Sequence, residues 1–194
     1  SLAHNNIDNT VDFIKISNVQ YLYLQDNSID SVADMTDLTA STLVYLDLSN
    51  NCLTSFLPSM TQNNLISLSL AHNNLNSLST SQLSNYPSLK YLHLQNNPNL
   101  GLSGFADLED VPDLKSLDLS NTGLSGIPTA DTTNNSLENL YLAYNNANYS
   151  FYGIYDDFPN LKFLYLENNN IDDISDLSTD NISFMNIENN EMDI

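Results

Sequence analysis

The sequence has no arginine, four lysines (Lys15, Lys90, Lys115 and Lys162), one cysteine and no long apolar run. Each shortage excludes something. Against four cationic side chains stand 24 carboxylates, for a net charge of −20. Phosphate backbones bind where a cationic face can release their counterions, so this balance argues against DNA or RNA as partner. Anionic membrane surfaces are disfavoured for the same reason. No apolar stretch approaches the ~18 residues that a membrane span needs. A lone Cys52 excludes an internal disulfide framework. The opening residues, Ser1-Leu2-Ala3-His4-Asn5-Asn6, are already repeat sequence, so the absence of a signal-peptide pattern there is uninformative about secretion. What the negative charge does favour is cationic partners or divalent ions.

With 41% hydrophobic residues the chain has the material for a core, and that material recurs at a fixed period. Leu43-Val44-Tyr45-Leu46-Asp47-Leu48-Ser49-Asn50-Asn51-Cys52-Leu53 fits the template L-x-x-L-x-L-x-x-N-x-L. With conservative exchanges so do residues 19–29, 65–75, 137–147, 161–171 and 182–192. Residues 89–99 fit until the last position, where the apolar residue slips to Leu100, and residues 114–124 carry Thr122 in place of asparagine. Template starts at 19, 43, 65, 89, 114, 137, 161 and 182 give spacings of 24, 22, 24, 25, 23, 24 and 21. Such a pattern resembles the leucine-rich-repeat superfamily over essentially the whole chain. The expected fold is a leucine-rich-repeat solenoid of α/β type. A parallel β-sheet would line its concave face, with irregular turns and short 3-10 pieces on the convex face.

Each template position has a physical role. Alternate side chains of a strand point to opposite faces, so Leu46 and Leu48 face inward while Tyr45 and Asp47 face out. The asparagine column of Asn5, Asn27, Asn51, Asn73, Asn97, Asn145, Asn169 and Asn190 needs hydrogen-bond partners once buried, and the backbone of the turn leaving the strand supplies them. Thr122 offers a hydroxyl alone, which predicts a looser turn there. Return segments contribute apolar pegs such as Val32, Leu78, Ile127 and Ile174 without helical periodicity. The expected organisation is one solenoid segment, residues 1–194, with a partial first repeat over 1–18 and then eight repeats. Both ends read as cut from a longer array, since an uncapped solenoid end exposes its core.

Template positions 2, 3, 5, 7 and 8 are expected to project to solvent on the concave side. They carry the candidate binding residues Tyr21, Tyr23, Tyr45, Tyr91, His93, Tyr141, Tyr144, Phe163, Tyr165 and Phe184. Tyrosine combines an apolar body with a polar tip, which suits recognition; aromatics also stack across neighbouring strands, and the two uses are compatible. Position 2 places Lys115, Glu138 and Lys162 in succession, an alternation of charge. The aromatic stretch 149–155 lies in a return loop. Part of it must fill the core, and whichever of Tyr149, Tyr152 and Tyr155 stays outside would form a lateral contact patch.

No motif for catalysis is present: neither H-E-x-x-H, nor G-x-S-x-G, nor a phosphate-binding glycine loop. The expectation is a non-enzyme without cofactor. Two acidic loops, one with Asp172, Asp173, Asp176 and Asp180 and one with Asp30, Asp34 and Asp37, keep Ca²⁺ open as the lesser alternative to solvated loops. Sequons at Asn134, Asn148 and Asn181 permit glycosylation, yet are no more numerous than this Asn-, Ser- and Thr-rich composition scatters by chance. The composition leans toward an extracellular or cell-surface setting. Two functions remain. One is a protein–protein recognition module, the usual role that the resemblance implies, taking a protein or glycan ligand on its tyrosine-rich acidic concave face. The other is a structural subunit of an extracellular filament, coat or matrix, with copies of the chain packing laterally or end to end.

Overall fold

The structure is a computed structural model that describes residues 1–8, 18–32, 42–56, 64–78, 83–101, 108, 110–128, 136–152, 154–177 and 180–192. Eight three-residue strands recur along it: β1 (Tyr21–Tyr23), β2 (Tyr45–Asp47), β3 (Ser67–Ser69), β4 (Tyr91–His93), β5 (Ser116–Asp118), β6 (Asn139–Tyr141), β7 (Phe163–Tyr165) and β8 (Phe184–Asn186). They form one parallel sheet in sequence order, β1 through β8. Register is exact from coil to coil, with Leu22 opposite Leu46, Leu46 opposite Leu68, and so on to Leu164 opposite Met185. The backbone ladder continues past the strands on both sides, as in Val44 N–H to Gln20 O at 2.8 Å and Leu24 N–H to Asp47 O at 2.8 Å.

Three leucine columns explain why the coils stack. Leu46, Leu48 and Leu43, with their counterparts in the inner coils, turn inward and are almost wholly buried, while Val19 in the first coil and Ile182, Met185 and Ile187 in the last are partly buried. Each such side chain contributes about 1.5–3 kcal/mol by leaving water, and no coil can bury its own set without neighbours. Among the sequence-derived pegs, Val32 and Leu78 are buried, while Ile127 and Ile174 are partly buried against the same core. Among the described residues the return segments contain turns and the short helix α1 (Ile154–Asp157). The 3-10 pieces expected there do not occur among those residues.

The asparagines staple one coil to the next. Asn73 Nδ2 donates to Leu70 O of its own coil (3.0 Å) and to Leu48 O of the coil before (3.1 Å), while its Oδ1 accepts from Leu53 N–H (2.9 Å). Asn27, Asn51, Asn145, Asn169 and Asn190 likewise donate both to their own coil and to the coil before. Asn97 donates to Leu94 O and Leu70 O and accepts from Leu75 N–H. Thr122 is fully buried and its hydroxyl donates to Leu119 O at 2.6 Å, within its own coil. A hydroxyl is too short to reach back, and the chain accommodates this with a longer connection. Leu100 takes the core position, and Gly101 N–H donates to Thr122 O at 2.9 Å. The turn is therefore re-routed rather than slack. Gly123 is required beside it: at φ +74° a Cβ would lie 2.6 Å from Pro98 O.

The residue just before the asparagine column has a left-handed backbone in every coil. His4, Asp26, Asn50, His72, Asn96, Asn121, Tyr144, Asn168 and Asn189 all have φ between 53° and 61°. This reverses the chain as it leaves the sheet. Short polar side chains tolerate that conformation because they can hydrogen-bond locally; a tyrosine there is strained.

Candidate functional site

The outward face of the sheet is built from the first and third residues of every strand, because the middle residue, a buried leucine in β1 to β7 and the partly buried Met185 in β8, turns inward. Two aromatic groups form on it. Tyr23 and Tyr45 lie with ring centroids 5.1 Å apart, and Tyr21 beside them is exposed. Five strands along, Tyr141 and Tyr165 stack at 4.4 Å with planes 11° apart, and Tyr165 meets Phe184 at 5.3 Å. Phe163 is half-buried within this second group. Between the groups the face is lined by small side chains. Ser69 and Ser116, expected at the surface, are buried under larger neighbours. Tyr91 and His93 rise from this floor on β4, Tyr91 exposed. At about 4.8 Å per strand, β2 and β6 are ~19 Å apart. Six extended residues of a bound chain would cross that gap.

Carboxylates give the floor its charge. Asp47 Oδ1 accepts from Ser49 N–H (3.0 Å) and Ser49 Oγ–H (2.6 Å), and its Oδ2 accepts from Tyr45 Oη–H at 3.3 Å. Asp118 is oriented in the same way by Ser120 N–H at 3.0 Å. Burial pushes the Tyr45 phenol upward, and the Asp47 charge and hydrogen bond add to it. Burial also raises Tyr141, with Tyr165 and Asp118 contributing. Both phenols thus stay neutral donors at any physiological pH. Along the N-terminal edge of the strands, Glu138 lies between Lys162 (3.1 Å) and Lys115 (3.5 Å). The Lys162 hydrogen bond holds its carboxyl below the usual range. Lys162 is exposed and Lys115 and Glu138 are partly exposed, so the trio contributes little to stability.

Tyr144 belongs to a different surface. It follows β6 in the left-handed position described above, at the C-terminal edge of the sheet, and is 60% exposed. Its sister residues join in rungs there: His4 to Asp26 and Asp26 to Asn50, then His72 to Asn96 and Asn96 to Asn121, then Asn168 to Asn189. The left-handed column had a sequence signal, since Asn, Asp and His fill it almost throughout.

In the return loop the lateral patch needs correction. Tyr149 is 3% exposed and fills the core in place of a leucine, its hydroxyl donating to Leu142 O at 3.3 Å. Tyr152 stands out at 87% exposure, and the Tyr155 side chain lies outside the described part. Of the sequons, Asn134 lies outside the described residues, Asn181 is exposed, and Asn148 is exposed and donates to Asp172 Oδ1 at 2.9 Å. Asp34 and Asp37 also lie outside the described residues. Asp173 is occupied by Ser175, whose N–H (2.7 Å) and hydroxyl (3.0 Å) it accepts and which lower its pKa. Among the described residues no three His, Cys, Asp or Glu side chains gather as a metal site, and no helix is long and apolar enough to cross a membrane.

The sequence pattern of the Leucine Rich Repeat family matches residues 42–63, 113–134 and 160–185. No curated protein sequence matches the chain. Among solved structures, one similar chain comes from a TLR13–ssRNA13 complex, with 22% identity and a TM-score of 0.71 over 89% of this chain and 25% of that one. Another is the ectodomain of the plant membrane receptor kinase GASSHO1/SCHENGEN3 from Arabidopsis thaliana, in complex with CASPARIAN STRIP INTEGRITY FACTOR 2. It gives 26% identity and a TM-score of 0.67 over 97% of this chain and 24% of that one. An internalin (inlF) from Listeria monocytogenes gives 21% and 0.55 over 98% and 66%. The chain spans about a quarter of the length of the first two.

Proposed function

We propose, from the premise that this chain is a leucine-rich-repeat protein, that it is a non-catalytic, extracellular recognition module. Its ligand is a protein segment laid across the outward strand face. The observation that carries this reading is the pair of aromatic groups, Tyr21/Tyr23/Tyr45 and Tyr141/Phe163/Tyr165/Phe184, flanking a floor of small side chains with Asp47, His93 and Asp118. Aromatic anchors in an otherwise hydrophilic surface are the usual centres of binding energy. A net charge of −20 selects a cationic segment and speeds its encounter. The same charge, with no arginine to contact phosphate, favours protein over nucleic acid; the ssRNA is a ligand of the TLR13 chain. The receptor ectodomain among the similar structures supports an extracellular setting.

The structural-subunit reading loses ground, because Tyr149 is spent in the core and so leaves the lateral patch. A comparison of baits tests the proposal. The chain and a Tyr21→Ser/Tyr45→Ser/Phe163→Ser/Phe184→Ser variant are immobilised and exposed to the secreted proteins of the source cells. The expected outcome is a cationic protein held by the first bait and lost from the second. Identical capture by both would remove the strand face from consideration.

A further inference from the structure

The geometry points to a second binding site, for a neutral sugar, in the groove beside Tyr144 at the C-terminal edge of the sheet. The groove is about 560 Å³, within the usual range for small-ligand sites. It is lined around Tyr144 by amides and a hydroxyl, among them Asn96, Ser120, Asn121, Asn146 and Asn168, with no charged side chain. In a chain with 24 carboxylates an uncharged groove is itself selective.

Tyr144 shares its column's left-handed backbone but departs from it in chemistry. Eight sister positions with left-handed backbone hold Asn, Asp or His, and their side chains pair from coil to coil. Tyr144 interrupts those rungs at the cost of placing a bulky residue at φ 58°. The left-handed turn recurs in every coil, but a bulky residue on it is strain that Asn, Asp or His would relieve, and strain of that kind clusters at functional positions. The interruption also leaves hydrogen-bonding capacity unused. Asn121 donates its amide N–H to Asn96 Oδ1 (2.9 Å), and Asn168 Oδ1 accepts from Asn189 (3.1 Å). Asn121 Oδ1, Asn168 Nδ2 and the Asn146 amide then have no protein partner among the described residues. Amides present donor and acceptor together, which matches vicinal hydroxyls. The exposed phenol ring offers a flat apolar face to the C–H side of a pyranose ring while its hydroxyl stays wet. An anionic ligand would find no cation here, and a purely apolar one would strand the amides unpaired.

The test is an NMR titration of the ¹⁵N-labelled chain with cellohexaose, mannohexaose, xylohexaose and chitohexaose, with hexagalacturonate as the anionic comparison. At about 10 mM sugar even a millimolar site is mostly filled. At least one neutral oligosaccharide is expected to shift the side-chain amides of Asn121, Asn146 and Asn168. Tyr144→Asn, which restores the residue type of the sister positions, is expected to weaken binding about tenfold or more while raising Tm. The strand-face quadruple variant is expected to leave the sugar-induced shifts in place, which separates this site from the protein-binding reading. The proposal is overturned if none of the four neutral sugars moves those amides, if hexagalacturonate binds as well as they do, or if Tyr144→Asn binds undiminished.

Discussion

Replacing Asn73 with alanine isolates what the asparagine column does. In the wild type its amide donates to Leu48 O, Leu70 O and Ala71 O, and its Oδ1 accepts from Leu53 N–H, all with Asn73 buried. The carbonyls of Leu48 and Leu70 each keep a second donor, Asn51 and Asn97 respectively. Their losses are therefore ordinary hydrogen-bond losses, about 0.5–1.5 kcal/mol each. Leu53 N–H loses its partner outright in a dry environment, which costs about 1–3 kcal/mol. Together Asn73→Ala should destabilise by about 2–6 kcal/mol, a large part of the 5–15 kcal/mol typical of a domain. Asn73→Thr should recover about 1 kcal/mol, since Thr122 shows that a hydroxyl can serve its own coil. Asn5→Ala should cost under about 1 kcal/mol, because Asn5 is exposed and reaches only Leu2 O and Ala3 O. Urea unfolding followed by circular dichroism measures all three, with m-values compared to detect coils melting separately. An Asn73→Ala loss below about 1 kcal/mol, or one equal to that of Asn5→Ala, would refute the stapling argument.

Gly123→Ala should destabilise by about 2 kcal/mol or more, since the new methyl would press on Pro98 O and the backbone sits at φ +74°; thermal unfolding would show it. Tyr86 has a buried hydroxyl with no partner among the described residues, and burial raises its pKa. The folded state therefore holds that proton more tightly than the unfolded chain. Its stabilising effect is full below the unfolded pKa of about 10 and is lost as pH rises above it. Tyr86→Phe should be neutral or stabilising by up to about 1 kcal/mol near pH 7 and should lose stability less steeply above pH ~10, read from urea midpoints across that range. Single-stranded RNA should show no binding near 150 mM salt in a filter or anisotropy assay, where a site without cationic contacts has nothing to gain from counterion release. Salt-insensitive, tight RNA binding would show that the charge argument is wrong.

The strands and core columns were legible in the sequence because one residue in every short stretch has a fixed duty. The spacing of Leu46, Leu48 and Asn51 repeats in coil after coil, and the observed strands follow it. What the template could not convey lies where side chains compete for the same place. Tyr149, Tyr152 and Tyr155 carry the same chemistry, and packing rather than residue type sent Tyr149 inward. Ser69 and Ser116 occupy surface positions by pattern, yet they are buried because they are shorter than the groups around them. The 25-residue spacing before residue 114 and the slip to Leu100 did mark an irregular turn. Its cause, a threonine hydroxyl that cannot reach the previous coil, needed the hydrogen bonds. The strain at Tyr144 followed from a column whose conformation the consensus pattern does not state.

Photo-crosslinking from defined positions tests the recognition reading most directly. A benzophenone amino acid would be placed at Phe163 on the strand face and, separately, at Tyr152 on the return-loop side, in an otherwise unchanged chain. Irradiation in the presence of the captured partner should yield a covalent adduct from position 163 and none from position 152. Adducts from position 152 alone, whether with another protein or with a second copy of this chain, would move the working surface to the other side of the solenoid.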